Sequence, residues 1–358
     1  GLNEHINGCI YRNGRNHCDV NKIISKEKKE LKRALSSFSE KYRIDFLIIE
    51  NALSIPMQIP LGLALSDLLS TSGIPAIAHN HDFFWERNRF RLNGHKEMIE
   101  RTFPPHLPNV NHVVINSIAQ HELYRRTGIM SHIIPNVMNY SMPPEIDPDR
   151  ASQLRKVIGL QADDIMILQP TRLVARKGIE STLEIINRLN DPRCKLVVSH
   201  SVDDEGWDYY RWVRAKCDEL NIDIRFINDI VADPIINNFD PNRKFSLWEV
   251  DDTADIITYP SLCEGFGNAL HEAIYLKKPI VLNRYEIFIA DIEPKGFDFI
   301  KYDQKVTSDT VAQTKKILTD RNRKTEMVAT NFRLAKKYYS YDLLSEQLSG
   351  LMAPALAA

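Results

Sequence analysis

Short apolar runs alternate with helical patterns along almost the whole chain. Residues 45–50 (DFLIIE) read as a strand, 61–70 as a helix, and 74–79 as a second strand. A helix is predicted over 97–103, stopped by Pro104-Pro105. A strand follows over 112–116, then a helix over 118–127 and a short strand over 132–135. Before all of these, 26–42 has the pattern of a charged amphipathic helix. The segment 140–150, with Pro143, Pro144 and Pro148, breaks the alternation and reads as a linker. Beyond it, 165–169, 195–199, 224–227, 256–259 and 280–283 are apolar strands with helices between them. Such alternation predicts an α/β protein built on parallel, doubly wound sheets. Leu343, Leu344, Leu348 and Leu351 give 338–352 the spacing of a closing amphipathic helix. No internal repeat or low-complexity tract interrupts the pattern.

Two of the strand-to-helix turns carry chemistry. After the strand DIITYP at 255–260 comes SLCEGFGNALHEA, in which Gly267 opens a helix running through Leu276. The Gly265, Phe266, Gly267, Asn268 turn can present backbone N–H groups at a helix N-terminus, where the dipole favours an anion. Glu264 precedes that helix and Glu272 lies just over one turn inside it. Two carboxylates flanking an anion cradle suit a ligand with a diphosphate in the middle and hydroxyl-rich sugars on either side. An ordinary turn with two solvent-facing glutamates is the plainer alternative. A second turn favours the ligand. The strand at 165–170 runs into TRLVARKG, and a helical pattern starts at Ile179, so Arg172 and Lys177 share one loop. A guanidinium fork and a point ammonium together match a diphosphate leaving group.

TRLVARKG followed by PSLCEGFGNALHEA resembles the donor half of a retaining family 4 glycosyltransferase with the GT-B fold. IAHNHDFFWER, HVVINS and IIPNV stand in the order expected of the preceding acceptor half, so the resemblance spans most of the chain. It implies two Rossmann-like domains facing a cleft: 1–145 on the acceptor side, 146–335 binding a nucleotide sugar, and 336–358 returning as a helix to the first lobe. It also implies retention at the anomeric carbon. Arg172 and Lys177 would stabilise the departing diphosphate, helped by the N–H groups of 265–268. Glu264 would hold donor-sugar hydroxyls, Glu272 the ribose, and the base would rest near 227–231. The acceptor would attack from the face the diphosphate vacates, with a phosphate oxygen taking its proton. No cofactor and no metal are implied, because the basic pair already neutralises the charge a magnesium ion would.

A further cluster, His79-Asn-His-Asp-Phe-Phe-Trp-Glu-Arg87, follows the apolar strand at 74–78 and so stands at a carboxyl end, where open α/β sheets bind ligands. By resemblance this loop faces the donor sugar. His81 or His79 would hydrogen-bond a sugar hydroxyl, and Asp82, Glu86 and Arg87 would line the acceptor side. Trp85, with Phe83 and Phe84, fits either a platform for a sugar face or the core. His79-x-His81 after a strand also matches the start of a barrel metallohydrolase site. That reading needs further His and Asp ligands at later strand ends, which the sequence does not supply in order, and it leaves the Arg–Lys loop and the two glutamates unexplained. A degenerate, non-catalytic nucleotide-sugar-binding protein is the other alternative, opposed by the presence of Arg172, Lys177, Glu264 and Glu272 together.

Composition narrows the partners. The 358 residues carry a formal charge of −1, so nothing globally basic points to nucleic acid. Hydrophobic residues make up 43%, enough for about two ordinary cores. No apolar stretch reaches the length of a membrane span. The run Lys22, Lys26, Lys28, Lys29, Lys32 and Arg33 could touch an anionic membrane, but interleaved Glu27 and Glu30 favour a solvated helix face. Five cysteines without C-x2-C spacing read as free thiols in a reducing cytoplasm, with Cys263 a small packing residue. The first forty residues hold no strand with a glycine-rich turn, so the N-terminal lobe is expected to lack roughly 60–100 residues of a domain of about 150.

Overall fold

The computed structural model describes residues 2–11, 20–91, 95–200, 207–232 and 244–356. The chain divides into two compact units, Gly1–Pro135 with Leu344–Ala358, and Asn136–Leu343.

The first unit is built on one parallel sheet of β1 (Leu47–Glu50), β2 (Ala76–Asn80), β3 (Val110–Val114) and β4 (Ser131–Ile133), in sequential order. The inner strands β2 and β3 are largely buried, while β1 and β4 at the edges keep exposed positions such as Ile48 and His132. On one face Ile49, Leu53, Ala76, Ala78 and Val110 pack with Leu65 and Leu69 of the helix Ile59–Ser72. On the other, Ile77, Val113 and Ile134 meet Leu344, Leu348, Leu351 and Met352 of the closing helix Tyr341–Leu356. The charged helix predicted over 26–42 begins earlier, as Val20–Tyr42, with Ile24 buried at its start. Lys28 pairs with Asp67 at 2.7 Å, tying the basic run to the neighbouring helix. A helix unforeseen in the sequence, Leu2–Tyr11, buries Ile6 and Ile10 against Ile24, Ile59, Ile99 and Phe103. The strand predicted over 112–116 stops at Val114. Asn116 instead caps the helix Ser117–Thr127, its side chain accepting from Ala119 N at 2.7 Å.

The second unit holds β5 (Ile165–Gln169), β6 (Cys194–Val198), β7 (Ile224–Phe226), β8 (Val231–Ala232), β9 (Phe245–Ser246), β10 (Ile256–Tyr259), β11 (Ile280–Asn283) and β12 (Ile300–Tyr302). Six of these form a parallel sheet in the order β12-β11-β10-β5-β6-β7, while β8 and β9 pair by themselves. From β5 the chain winds outward through β6 and β7, then returns to place β10 on the other side of β5. The order therefore reverses between β5 and β10. Open α/β sheets bind ligands at such a switch point, at the carboxyl ends of the strands. The helix Ile179–Leu189 covers one face with Ile179, Leu183, Ile185 and Ile186 buried, and ends on Asn190 in the left-handed conformation at φ 49°.

The segment predicted as a linker over 140–150 is packed into the second unit. Tyr140 is buried in edge contact with Tyr275 and Phe332, and the Tyr275 hydroxyl donates to the carbonyls of Asn139 (2.9 Å) and Met142 (3.0 Å). Pro148 starts the helix Pro148–Val157 rather than breaking one, because its fixed φ and missing N–H suit a first helical position behind the Asp147 cap. Of the three prolines read as breakers, Pro148 is a helix entry.

Candidate active site

The two charged turns of the sequence lie side by side because β5 and β10 are neighbours. Each leaves its strand at the carboxyl end, and Leu262 N donates to Arg176 O at 2.9 Å, fastening one turn to the other. Gly178 allows that approach. Its φ is +62°, and a Cβ there would meet the Pro260 carbonyl oxygen at 2.5 Å. Gly178→Ala is expected to destabilise the protein by ~2–4 kcal/mol, combining left-handed strain with overpacking against backbone. Denaturant unfolding measures it, and an unchanged midpoint would contradict the close approach. Gly267 is similarly confined, at φ +118° with the Tyr285 and Tyr259 hydroxyls at 2.8 and 3.2 Å from a built Cβ.

Lys177 and Glu264 meet in an ion pair, each side chain only 11% exposed. Arg176 stands at 3.9 Å from the other Glu264 oxygen, a partner the sequence reading did not name. Tyr259, buried beneath, adds a hydrogen bond to Glu264. Burial draws the Lys177 pKa below its ordinary value, Glu264 opposes that, and the Arg176 and Arg172 charges add to the depression. Arg172 itself is exposed on the loop while its neighbours Thr171 and Leu173 are buried. The result is a cationic turn with Arg172 and Arg176 exposed and Lys177 clamped on a carboxylate.

Across the turn, the helix Asn268–Tyr275 starts after Gly267 and ends one residue before the predicted Leu276. His271 N makes the first backbone bond into it, to Gly267 O at 3.1 Å, so the amides of its first turn lie at the helix's positive end. Phe266 is buried and anchors the turn: its carbonyl accepts from the Tyr285 hydroxyl at 2.7 Å and its ring meets His271 and Tyr339 edge-on. Gly265 and Asn268 are exposed at the rim. Asn268 accepts from Asn136 Nδ2 at 2.5 Å, which brings the last Asn of IIPNV to this turn. Glu272 is half-buried, and its charge helps raise the pKa of Asp251, a carboxyl fully buried in the helix Leu247–Thr253. Asp251 was not foreseen. Its signal in the sequence is only an acid on the apolar face of a short helix. Cys263, read as a packing residue, is exposed on the turn. Residues 227–230, where the base was expected, line a cavity of about 770 Å³ with Trp207, Tyr210 and Arg214.

In the first unit, His79 and His81 stand at the carboxyl end of β2, joined to a residue the sequence reading did not single out. Glu50, paired with His79 in the β1–β2 register, accepts from both rings. Asp82 pairs with Arg87. Glu86 turns back on its own segment, accepting from Phe83 N at 3.0 Å, instead of pointing outward. Phe83 is fully buried and stacks on Trp85 at 4.5 Å, so this aromatic pair belongs to the core. Burial pushes the Glu86 carboxyl up to about 7; the Phe83 N–H opposes this, Asp82 adds to it, and Arg87 and Arg126 oppose it. A raised carboxyl pKa stabilises the fold below the unfolded value of 4.5, and that stability is lost as pH rises through about 7. Glu86→Gln should therefore match the parent near pH 5 and exceed it by ~2–3 kcal/mol above pH 8. Thermal unfolding of both proteins across that range checks it; a pH-independent difference would contradict the buried carboxyl.

Comparison with known proteins bears on the family and the fold. The glycosyl transferases group 1 family matches residues 151–333. The mannosylglucosylglycerate synthase of Thermotoga maritima is 30% identical, over 93% of this chain and 81% of its own length. A glycosyltransferase from Rickettsia africae superposes with a TM-score of 0.69 at 14% identity, covering 96% of this chain and 84% of its own. Anabaena Alr3699/HepE, solved in complex with UDP and glucose, superposes at 0.66 and 14% identity, covering 95% and 84%. The structural likenesses carry the fold, which is of the GT-B type. The chain belongs to the glycosyl transferases group 1 family, and it is a glycosyltransferase.

Proposed function

We propose that the protein transfers a hexosyl group from a nucleoside diphosphate sugar to a hydroxyl acceptor, with retention at the anomeric carbon. The observation that carries this reading is the pairing of the two turns at the β5–β10 switch point, where the Lys177–Glu264 ion pair joins the loop that bears Arg172 to the turn entering the helix Asn268–Tyr275. As the glycosidic bond breaks, negative charge grows on the diphosphate. Arg172, Lys177 and the amides of the helix's first turn stabilise it, and such preorganised electrostatics is usually the largest catalytic contribution. Glu264 keeps Lys177 in place and offers its remaining acceptor capacity to donor-sugar hydroxyls, with Gly265 and Phe266 shaping the turn. Glu272, one turn along the helix, holds the ribose. The cavity at 227–230 takes the base.

The two glutamates bind along the donor in this reading, and neither acts as a nucleophile. Departure of the diphosphate is metal-independent, since the cationic turn supplies the counter-charge. His81, with His79, contacts sugar hydroxyls, and Asp82 and Arg87 serve the acceptor side. By likeness to the mannosylglucosylglycerate synthase relative, the sugar moved is mannose and the acceptor a small glycoside of glycerate. A reducing, cytoplasmic setting fits Cys9, Cys194, Cys217 and Cys263, none of which is in a disulfide. Among the described residues no helix is long and apolar enough to cross a membrane.

Proton NMR of the product tests the stereochemistry. The new glycoside should carry the anomeric configuration of the donor, and donor affinity should be the same with and without a chelator. An inverted product would overturn retention, and loss of donor affinity in chelator would overturn metal independence.

A further inference from the structure

We propose that Glu50, His79 and His81 form a binding site for a divalent transition-metal ion of the zinc class, in the first unit. Glu50 is the last residue of β1 and His79 its register partner on β2. His81, two positions on, brings its ring to 4.6 Å from that of His79, centroid to centroid. The carboxylate lies between them: His79 Nδ1 is 2.9 and 3.1 Å from its two oxygens, and His81 Nε2 is 3.1 Å from one. All three groups offer ligand atoms within 4.8 Å of one another. Zinc bonds of ~2.0–2.2 Å require tetrahedral ligand atoms to stand ~3.3–3.5 Å apart. The two carboxylate–imidazole separations are already close to that, and the two imidazole nitrogens lie within 4.8 Å of each other.

The donor set selects the ion. Two imidazoles and one carboxylate suit zinc or another late first-row divalent ion better than magnesium or calcium, which prefer oxygen. Three protein ligands leave a position for an exogenous oxygen. The Glu50 and His81 side chains are 58% and 38% exposed, so that position opens to solvent. A water or a carboxylate could fill it. Among the described ion pairs the partners of Glu50 are these two histidines.

The backbone around the cluster is fixed independently of any ion. Asn51, at φ 58° just past β1, donates its N–H to His79 O at 2.9 Å. Its side-chain oxygen accepts from His81 N at 2.8 Å and from the Ser54 hydroxyl at 3.1 Å. One residue thus binds both histidine segments to the end of β1, holding the ligands' main chain in place as second-layer contacts do in metal sites. The site belongs to the first unit and stands on these contacts whether or not Arg172, Lys177, Glu264 and Glu272 bind the donor.

The experiment uses the full chain stripped with a chelator. Titration with Zn2+ by calorimetry should give saturable binding, and Co2+ should produce visible d–d absorption of a histidine-ligated ion. Glu50→Gln and His81→Ala should each weaken Zn2+ by at least ~tenfold, the scale on which even outer contacts to metal ligands matter, and abolish the Co2+ band. Circular dichroism and the metal-free unfolding midpoint should match the parent for at least one of the two. Saturable binding lost in the correctly folded variant supports the site. Absence of saturable binding by the parent, or affinity retained in both variants, overturns it, leaving a carboxylate that only orients two histidines.

Discussion

Arg172→Ala and Lys177→Ala are each expected to lower kcat/KM for glycosyl transfer by roughly a hundredfold or more, the effect of losing one preorganised charge stabiliser. The two should differ in stability. Arg172 is exposed, so its removal should change unfolding by under ~0.5 kcal/mol. Lys177 is paired with Glu264 at 11% exposure on both sides, and its removal leaves a largely buried carboxylate supported only by Arg176 and Tyr259. A destabilisation of ~1–3 kcal/mol follows from the unpaired charge. The ion pair is what sets Lys177 apart from Arg172 in stability. Rates per folded molecule, with unfolding curves for each variant, separate the two effects. Near-normal transfer by either variant would remove that residue from the reaction.

Glu272→Gln should weaken binding of the free nucleoside diphosphate by ~10–100-fold, while Glu264→Gln should chiefly lower transfer. A charged hydrogen bond to a ribose diol contributes about 1.5–3 kcal/mol, and the amide keeps only part of it. The structure adds a second readout. Glu272 raises the pKa of the buried Asp251, after burial itself, while Lys278 acts in the opposite sense. Neutralising Glu272 removes a repulsion there, so the variant should unfold no more easily than the parent even as nucleotide affinity falls. Calorimetry with UDP and GDP gives the affinities. Unchanged affinity in Glu272→Gln would refute the ribose assignment, and a loss confined to Glu264→Gln would exchange the two roles.

The strands and the two turns were legible because their signals are local. Apolar runs of strand length followed by Gly, Arg, Lys or Glu at a helix entry mark both β5 and β10, and the structure sets the two side by side. What the sequence could not show was partnership across the chain. Glu50 lies 29 residues before His79, and only strand register joins them. Arg176 was not singled out, yet its carbonyl ties the two turns and its side chain faces Glu264. Polar helices were missed for a related reason. Pro148–Val157 buries only Leu154 and is held by Arg150, which donates to Glu249 at 2.7 Å and to the Lys244 carbonyl at 2.6 Å. With one buried side chain it has no apolar stripe, and its three prolines' neighbourhood looked like a linker. Nor could the sequence show that the carboxylate of Glu86, expected on the acceptor side, accepts from the nearest backbone donor, Phe83 N.

The account stands most directly on whether donor consumption depends on an acceptor. The full chain would be incubated with UDP- and GDP-sugars, each alone and with a panel of small hydroxyl acceptors that includes glycosides of glycerate, and nucleoside diphosphate and glycoside would be quantified together. The account predicts that one donor yields the two products in equal amounts, much faster with its acceptor than with water, and that Arg172→Ala suppresses both. Tight binding of a nucleotide sugar with no turnover against any acceptor would instead mark a binding protein and contradict the proposed reaction.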